Sequence, residues 1–213
     1  MDFENYTERS RGFVQSAQGL AVRSGHQRFT PEHLLKVILD DKEGLAANLI
    51  RAAGGRPEDA LRGINGALDK LPKVEGDGAG QVYLAPETAR LFESAREIAE
   101  KAGDSFVTVE RLLLTLTLAA GTPSGTVLAD AGVTAQALNS AINDLRKGRT
   151  AQSASAEDSF DALNKFARDL TEAAREGKDA GATPDGDRAA PRDGTGAVAR
   201  ATQSDQGMAV VRA

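Results

Sequence analysis

The sequence predicts an all-α fold: a pseudo-twofold tandem of two four-helix units, followed by a linker, one further helix and a disordered tail. Three observations carry that prediction. Apolar residues recur at helical spacing as far as about Lys147. The apolar fraction is 40% but the aromatic fraction only 4%, with no Trp. The core must therefore be built of Leu, Ile, Val and Ala, and Leu and Ala are strong helix formers. Finally, two stretches of the chain repeat one another at an offset of 78 residues.

The elements follow in order. Phe13, Ala17, Leu20 and Ala21 put apolar side chains on one face of a first helix. Thr30-Pro31-Glu32 is a helix start, with Thr as N-cap, Pro at the first helical position and Glu near the positive end of the dipole. Leu34, Leu35, Ile38 and Leu39 then form a core stripe. A third helix covers about Gly44 to Ala53 and stops at Gly54-Gly55. A fourth starts near Pro57 and carries Leu61, Ile64 and Leu68. The stretch "PKVEGDGAGQVYLAPE" is a long loop with a short extended piece at Val82-Tyr83-Leu84. Helical signals resume over Glu87 to Ala102, Val109 to Ala119, a short helix near Val127, and Ala135 to Arg146.

"SAQGLAVRSGHQRFTPEHLL" begins at Ser16 and "SAREIAEKAGDSFVTVERLL" at Ser94. The shared offset pairs Ala17 with Ala95, Gly25 with Gly103, Thr30 with Thr108, Glu32 with Glu110, and Leu34-Leu35 with Leu112-Leu113. Caps, stops and core positions coincide together, so one four-helix unit is used twice, over about residues 6–72 and 85–147. Together these form a domain over 1–149. Residues 150–159 then read as a flexible polar linker. Residues 160–178 read as an amphipathic helix with Leu163, Phe166, Leu170 and Ala174 on one face. Residues 179–213 have the composition of a disordered tail.

Several function classes lose support. A net charge of −5 gives no basis for a nucleic-acid surface. No apolar run approaches the roughly 20 residues that span a bilayer, and the N-terminus has no signal-peptide pattern, so the chain reads as a soluble cytoplasmic protein. The absence of cysteine removes disulfides and thiolate metal sites. His26 and His33 have no metal-ligand spacing and read as two partly exposed histidines. No catalytic elbow or Walker A loop is present, so no catalytic, cofactor-binding or metal residue is assigned.

Two similar helical halves packed together leave a groove at their seam. Leu91 and Phe92 are candidates to line it and receive a peptide, although periodicity alone favours placing Phe92 in the core. Glu32 and Glu110 suit the dipoles of their own helices, and Asp104 suits a turn.

The paired "FTPEHLL" and "FVTVERLL", the connecting "INGALDKLPKVEG" and the segment "LNKFARDLTEAAREGK" resemble the N-terminal domain of the Clp family of AAA+ unfoldases, within it the protein disaggregases. The resemblance covers roughly Asp2 to Lys178. It implies binding of unfolded or aggregated polypeptide for an ATP-dependent chaperone of disaggregation, refolding and heat stress, with no catalysis in the domain itself. ATP and Mg²⁺ would belong only to the full-length parent. It implies substrate-binding roles for Thr7, Phe92, Asp104 and Glu110. Arg111 and Ser94 depart from the apolar residues common at their positions, which bears on how apolar the groove is. After "REGK" the family pattern is lost. The expectation is a chain truncated before the ATPase, its tail read out of frame, and monomeric; a shifted frame that restores a Walker A loop would support this. Expected partners are unfolded or aggregated proteins and a Clp ATPase ring, with no nucleic acid and no membrane. The alternative is a stand-alone adaptor or regulator that docks on a Clp ATPase.

Overall fold

In the computed structural model, residues 3–41, 44–74 and 81–158 are described. The helix expected over 160–178 and the tail over 179–213 lie outside the described residues. The fold is all-α, as the sequence predicts. The first repeat holds α1 (Glu8–Arg23), α2 (Pro31–Leu39), α3 (Leu45–Ala52) and α4 (Pro57–Leu68). The second holds α5 (Pro86–Lys101), α6 (Val109–Leu118), α7 (Pro123–Asp130) and α8 (Ala135–Arg146). Two short strands, β1 (Arg28–Phe29) and β2 (Tyr83–Leu84), complete it.

The helix starts follow from local chemistry. Thr7, Thr108, Thr122 and Thr134 each accept a hydrogen bond from the backbone N–H three residues on, satisfying a donor the helix leaves free. Pro opens α2, α4, α5 and α7, where its missing N–H costs nothing. After α1 and α5 the chain turns at Gly25 (φ 71°) and Gly103 (φ 75°), a left-handed conformation that favours glycine.

The two second helices of the repeats form the centre. Leu34, Leu35 and Ile38 of α2 and Leu112, Leu113 and Leu116 of α6 are fully buried. Every residue of α6 from Val109 to Leu116 is buried, so this helix is surrounded on all sides. That environment explains its continuous Leu run. Among the described residues no single helix is long and apolar enough to cross a membrane. In α1 the buried stripe is Ser10, Val14, Ala17 and Ala21, while the expected Phe13 and Leu20 are only half-buried. The spacing of that stripe is the one that faces α2, α1's main packing partner.

The repeats exchange backbone reciprocally. β1 pairs in parallel with β2, Arg28 opposite Tyr83 and Phe29 opposite Leu84. At the equivalent places, Tyr6 bridges in parallel to Val107. Thus the segment entering each repeat lies along the turn before the second helix of the other. Matching hydrogen bonds run from the N–H of Thr7 to the Val107 carbonyl (3.1 Å) and from the N–H of Ala85 to the Phe29 carbonyl (3.0 Å).

The expected flexible linker over 150–159 needs correction for its described part. Residues 150–158 lie back on the second repeat, with Ala151, Ala156 and Glu157 buried. The N–H groups of Ser105 and Phe106 donate to the Ala151 carbonyl (2.9 and 3.1 Å), and the N–H of Glu8 donates to the Ala154 carbonyl (2.8 Å). Polar Ser/Ala composition resembles a linker, but here the backbone finds tertiary partners. The first repeat is closed in the same way: Lys73 bridges to His26, and the N–H of Val74 donates to the Gly25 carbonyl (2.8 Å).

Candidate functional site

A groove of about 1030 Å³ opens between the repeats. Leu71, Pro72 and Val74 line it from the first repeat, and Leu91, Ile98 and Leu118 from the second. Leu118, at the end of α6, is 53% exposed. Ser94 is also exposed in the groove and interrupts its apolar wall, whereas Arg111 is buried and does not line it. The Arg28 guanidinium pairs with Glu87 (3.3 Å) on the groove wall. Glu32 is buried, and its carboxylate accepts from the N–H of Ser124 (3.3 Å) in the first turn of α7. It thereby serves a second helix start besides its own.

Phe92 is only 3% exposed. It packs edge-on against Phe3 (5.3 Å between ring centroids) and Tyr6 (6.1 Å), with Phe29 at 6.2 Å. The Tyr6 hydroxyl donates to the Phe92 carbonyl (3.1 Å), and burial pushes its pKa well above the usual phenol value. Phe92 is therefore a core residue that does not line the groove, one position along α5 from the wall residue Leu91.

Thr7, about a hundred residues earlier in the chain, joins Asp104 and Glu110 in one buried polar cluster. Asp104 accepts from Arg111 Nε (2.9 Å), from Arg146 Nη1 (2.6 Å) and from the backbone N–H of Ala151 (2.8 Å). Glu110 accepts from Arg146 Nε (3.3 Å), and Arg146 Nη2 donates to the Thr108 hydroxyl (2.6 Å). The Thr7 hydroxyl donates to Glu157, whose second oxygen accepts from the N–H of Val109 (2.8 Å). Glu157 thus caps α6 from outside that helix. Burial pushes the Glu157 carboxyl well above its usual pKa, and the Glu110 carboxylate beside it adds to the effect. Asp104 and Arg146 are 4% and 2% exposed, so this cluster is a frame rather than an open pocket.

The two histidines also differ from expectation. They are buried, not partly exposed. The N–H of Thr30 donates to His33 Nδ1 (3.1 Å), which therefore carries a lone pair. The proton of His33 then sits on Nε2 and is given to His26 Nδ1, 2.8 Å away. Burial, with the neighbouring His26, lowers the His33 pKa to about 4; burial, with the charge of Lys73, lowers that of His26. The tertiary bridge from Lys73 covers His26, which a reading of its flexible-looking turn does not anticipate. Among the described residues no group of three or more His, Cys, Asp or Glu could hold a metal ion.

Sequence reasoning missed Arg146 and Glu157. Arg146 looks like an ordinary basic residue at a helix C-terminus. Its signal is the offset itself, since the equivalent Leu68 is apolar where Arg146 is charged.

Comparisons with known proteins bear on this arrangement. Residues 5–122 match the family described as the Clp repeat (R) N-terminal domain. The chain is 64% identical over 178 residues to the chaperone protein ClpB of Rhodopseudomonas palustris, and 61% identical over 178 residues to that of Mesorhizobium japonicum. Each match covers 84% of this chain, which spans only 20% of the length of those relatives. Among solved structures, the Hsp104 N-terminal domain from Candida albicans aligns with a TM-score of 0.63 at 20% identity. That alignment covers 72% of this chain and 99% of the other, and speaks for the fold.

Proposed function

The chain belongs to the Clp repeat (R) N-terminal domain family, and on that premise we propose that it binds unfolded or aggregated polypeptide as the recognition part of a ClpB-like chaperone. The observation that carries this reading is the groove between the repeats, with Leu118 half open at its edge. Unfolded chains expose the apolar side chains that native proteins bury, and a groove walled by Leu, Ile, Val and Pro suits them without selecting a sequence. The exposed Ser94 and the Arg28–Glu87 pair keep the wall mixed, which favours weak and reversible contacts. Such contacts gain from repetition if the domain is displayed on a Clp ATPase ring. No catalysis and no cofactor is assigned to the domain.

Thr7, Phe92, Asp104 and Glu110 enter this proposal as positioning residues. Phe92 anchors α5, whose Leu91 lines the groove, and the other three hold the polar frame of the second repeat. NMR titration of the full chain with a permanently unfolded polypeptide tests the reading. Shifts should cluster at Ser94, Ile98 and Leu118, and Leu118→Asp should weaken binding by about tenfold, the worth of about 1–2 kcal/mol of apolar contact. Unchanged spectra at millimolar polypeptide would contradict it.

A further inference from the structure

Residues 150–158 are held to the domain by two kinds of contact. Backbone hydrogen bonds run from Ser105 and Phe106 to Ala151 and from Glu8 to Ala154. Side-chain contacts come from Gln152, exposed, which accepts from the Ser105 hydroxyl and donates to the Gly103 carbonyl (2.7 Å each), and from the buried Glu157, which joins the Thr7 hydroxyl, at the start of α1, to the N–H of Val109, at the start of α6. Only Ala151 and Ala156 give the segment apolar anchorage, and their one further apolar neighbour is Phe106. So little apolar area leaves the segment held mainly by hydrogen bonds.

We propose that residues 150–158 form a releasable strap and that Glu157 is its latch, a positioning residue that sets how far the chain beyond Asp158 reaches from the domain. Closed, the strap ties the exit of the chain to both helix starts. Open, it adds up to about 30 Å of extended chain. A longer tether lowers the effective concentration of the domain at whatever the following chain is attached to. Thr7, Asp104 and Glu110 then act on one device: Thr7 binds the latch, Asp104 holds the N–H of Ala151, and Glu110 sits beside Glu157. Burial and the Glu110 carboxylate disfavour charge on Glu157, so protonation of Glu157 favours the closed latch. The strap does not depend on what fills the groove.

Hydrogen exchange of the full chain, without ligand, tests this. In Glu157→Lys the acceptor that holds the Thr7 hydroxyl and the Val109 N–H is lost and a longer cation must fit in its buried place, and the amides of Glu8, Ser105, Phe106 and Ala151 should exchange at least about tenfold faster. The amides of Leu35 to Ile38 in α2 should keep their protection. Glu157→Gln, neutral and of the same shape, should stay within about threefold of the parent at all these amides. Unchanged protection in Glu157→Lys would overturn the latch. Loss of protection in α2 as well would overturn the separate release of the strap. Gln behaving like Lys would overturn the role of charge.

Discussion

Two pairs of residues occupy the same places in the two repeats and do opposite chemistry. In the first, His26 and His33 share one neutral hydrogen bond of 2.8 Å. In the second, Asp104 and Arg111 form an ion pair of 2.9 Å. The partner position follows suit. Leu68 closes α4, and Arg146 closes α8, where it balances the buried Asp104 carboxylate. The backbone around both pairs is the same: a glycine turn, an exchanged strand and a closing segment at Lys73 or Ala151. A repeated frame therefore constrains where a polar pair sits, while charge balance within each repeat decides what the pair is. Only the charged version reaches out to Thr7 and to the strap.

The comparison breaks most visibly at Asp104. Asp104→Ala takes from the buried Arg111 and Arg146 the carboxylate they share, leaving Arg146 with Glu110, and should cost about 3–5 kcal/mol. His26→Ala, at the equivalent position, removes one neutral partner and should cost about 1–3 kcal/mol. Urea denaturation followed by circular dichroism separates the two.

Near the pseudo-twofold axis the repeats differ in size rather than charge. A Cβ on Gly55 would lie 2.6 Å from Val133 Cγ2 and 3.1 Å from the Ala131 carbonyl oxygen. Gly55→Ala should therefore destabilise by about 1–3 kcal/mol through overpacking. A urea midpoint equal to the parent's would show that this contact yields freely.

Protons sharpen the contrast further. His33 titrates at about 4 in the folded chain and at 6.5 ordinarily, so between those values the unfolded chain binds more protons. Stability from this group is complete above pH 6.5 and falls as pH drops towards 4. Glu157 has the opposite sign. Its folded pKa lies above the usual 4.5, so its contribution is full below 4.5 and is lost as pH rises through the folded value. His33→Gln keeps an acceptor for the Thr30 N–H, as in an ordinary capping box, and should flatten the urea midpoint between pH 6.5 and 4. An unchanged slope would assign the acid sensitivity elsewhere.

The smallest effect expected is at the caps of the fourth helices. Thr134 accepts from the N–H of Ala137, whereas Arg56 at the matching position caps α4 with no side-chain bond. Thr134→Ala should cost about 1 kcal/mol, and Arg56→Ala less than about 0.5 kcal/mol because its ion pair with Asp59 is exposed. Equal losses in thermal unfolding would mean the caps are not what distinguishes them.

Much of the frame was legible in the sequence because it is local. Thr108, Pro57 and Gly103 act within a turn of their own position, and α8 runs over the residues that its periodicity marks. What escaped was carried by distant partners. Strands of two residues have no period to detect, so β1 and the bridge from Tyr6 to Val107 left no pattern. His26 lies in a turn that only the returning Lys73 covers. Ala151 and Glu157 lie in a Ser/Ala-rich stretch whose order comes from Asp104, Thr7 and Val109. Of the site residues suggested by resemblance, Thr7, Asp104 and Glu110 are brought together, and Phe92 stands apart in the aromatic cluster.

The claim that one frame carries two interchangeable chemistries has a direct measurement. The second repeat can be rewritten as the first by combining Asp104→His, Arg111→His and Arg146→Leu, and its urea stability compared with that of Asp104→His alone. The combined variant should recover at least half of the loss caused by the single one, because it removes both arginines left without Asp104, although Glu110 also loses its 3.3 Å contact from Arg146. A combined loss equal to or larger than the sum of the three single losses would contradict the equivalence of the two repeats.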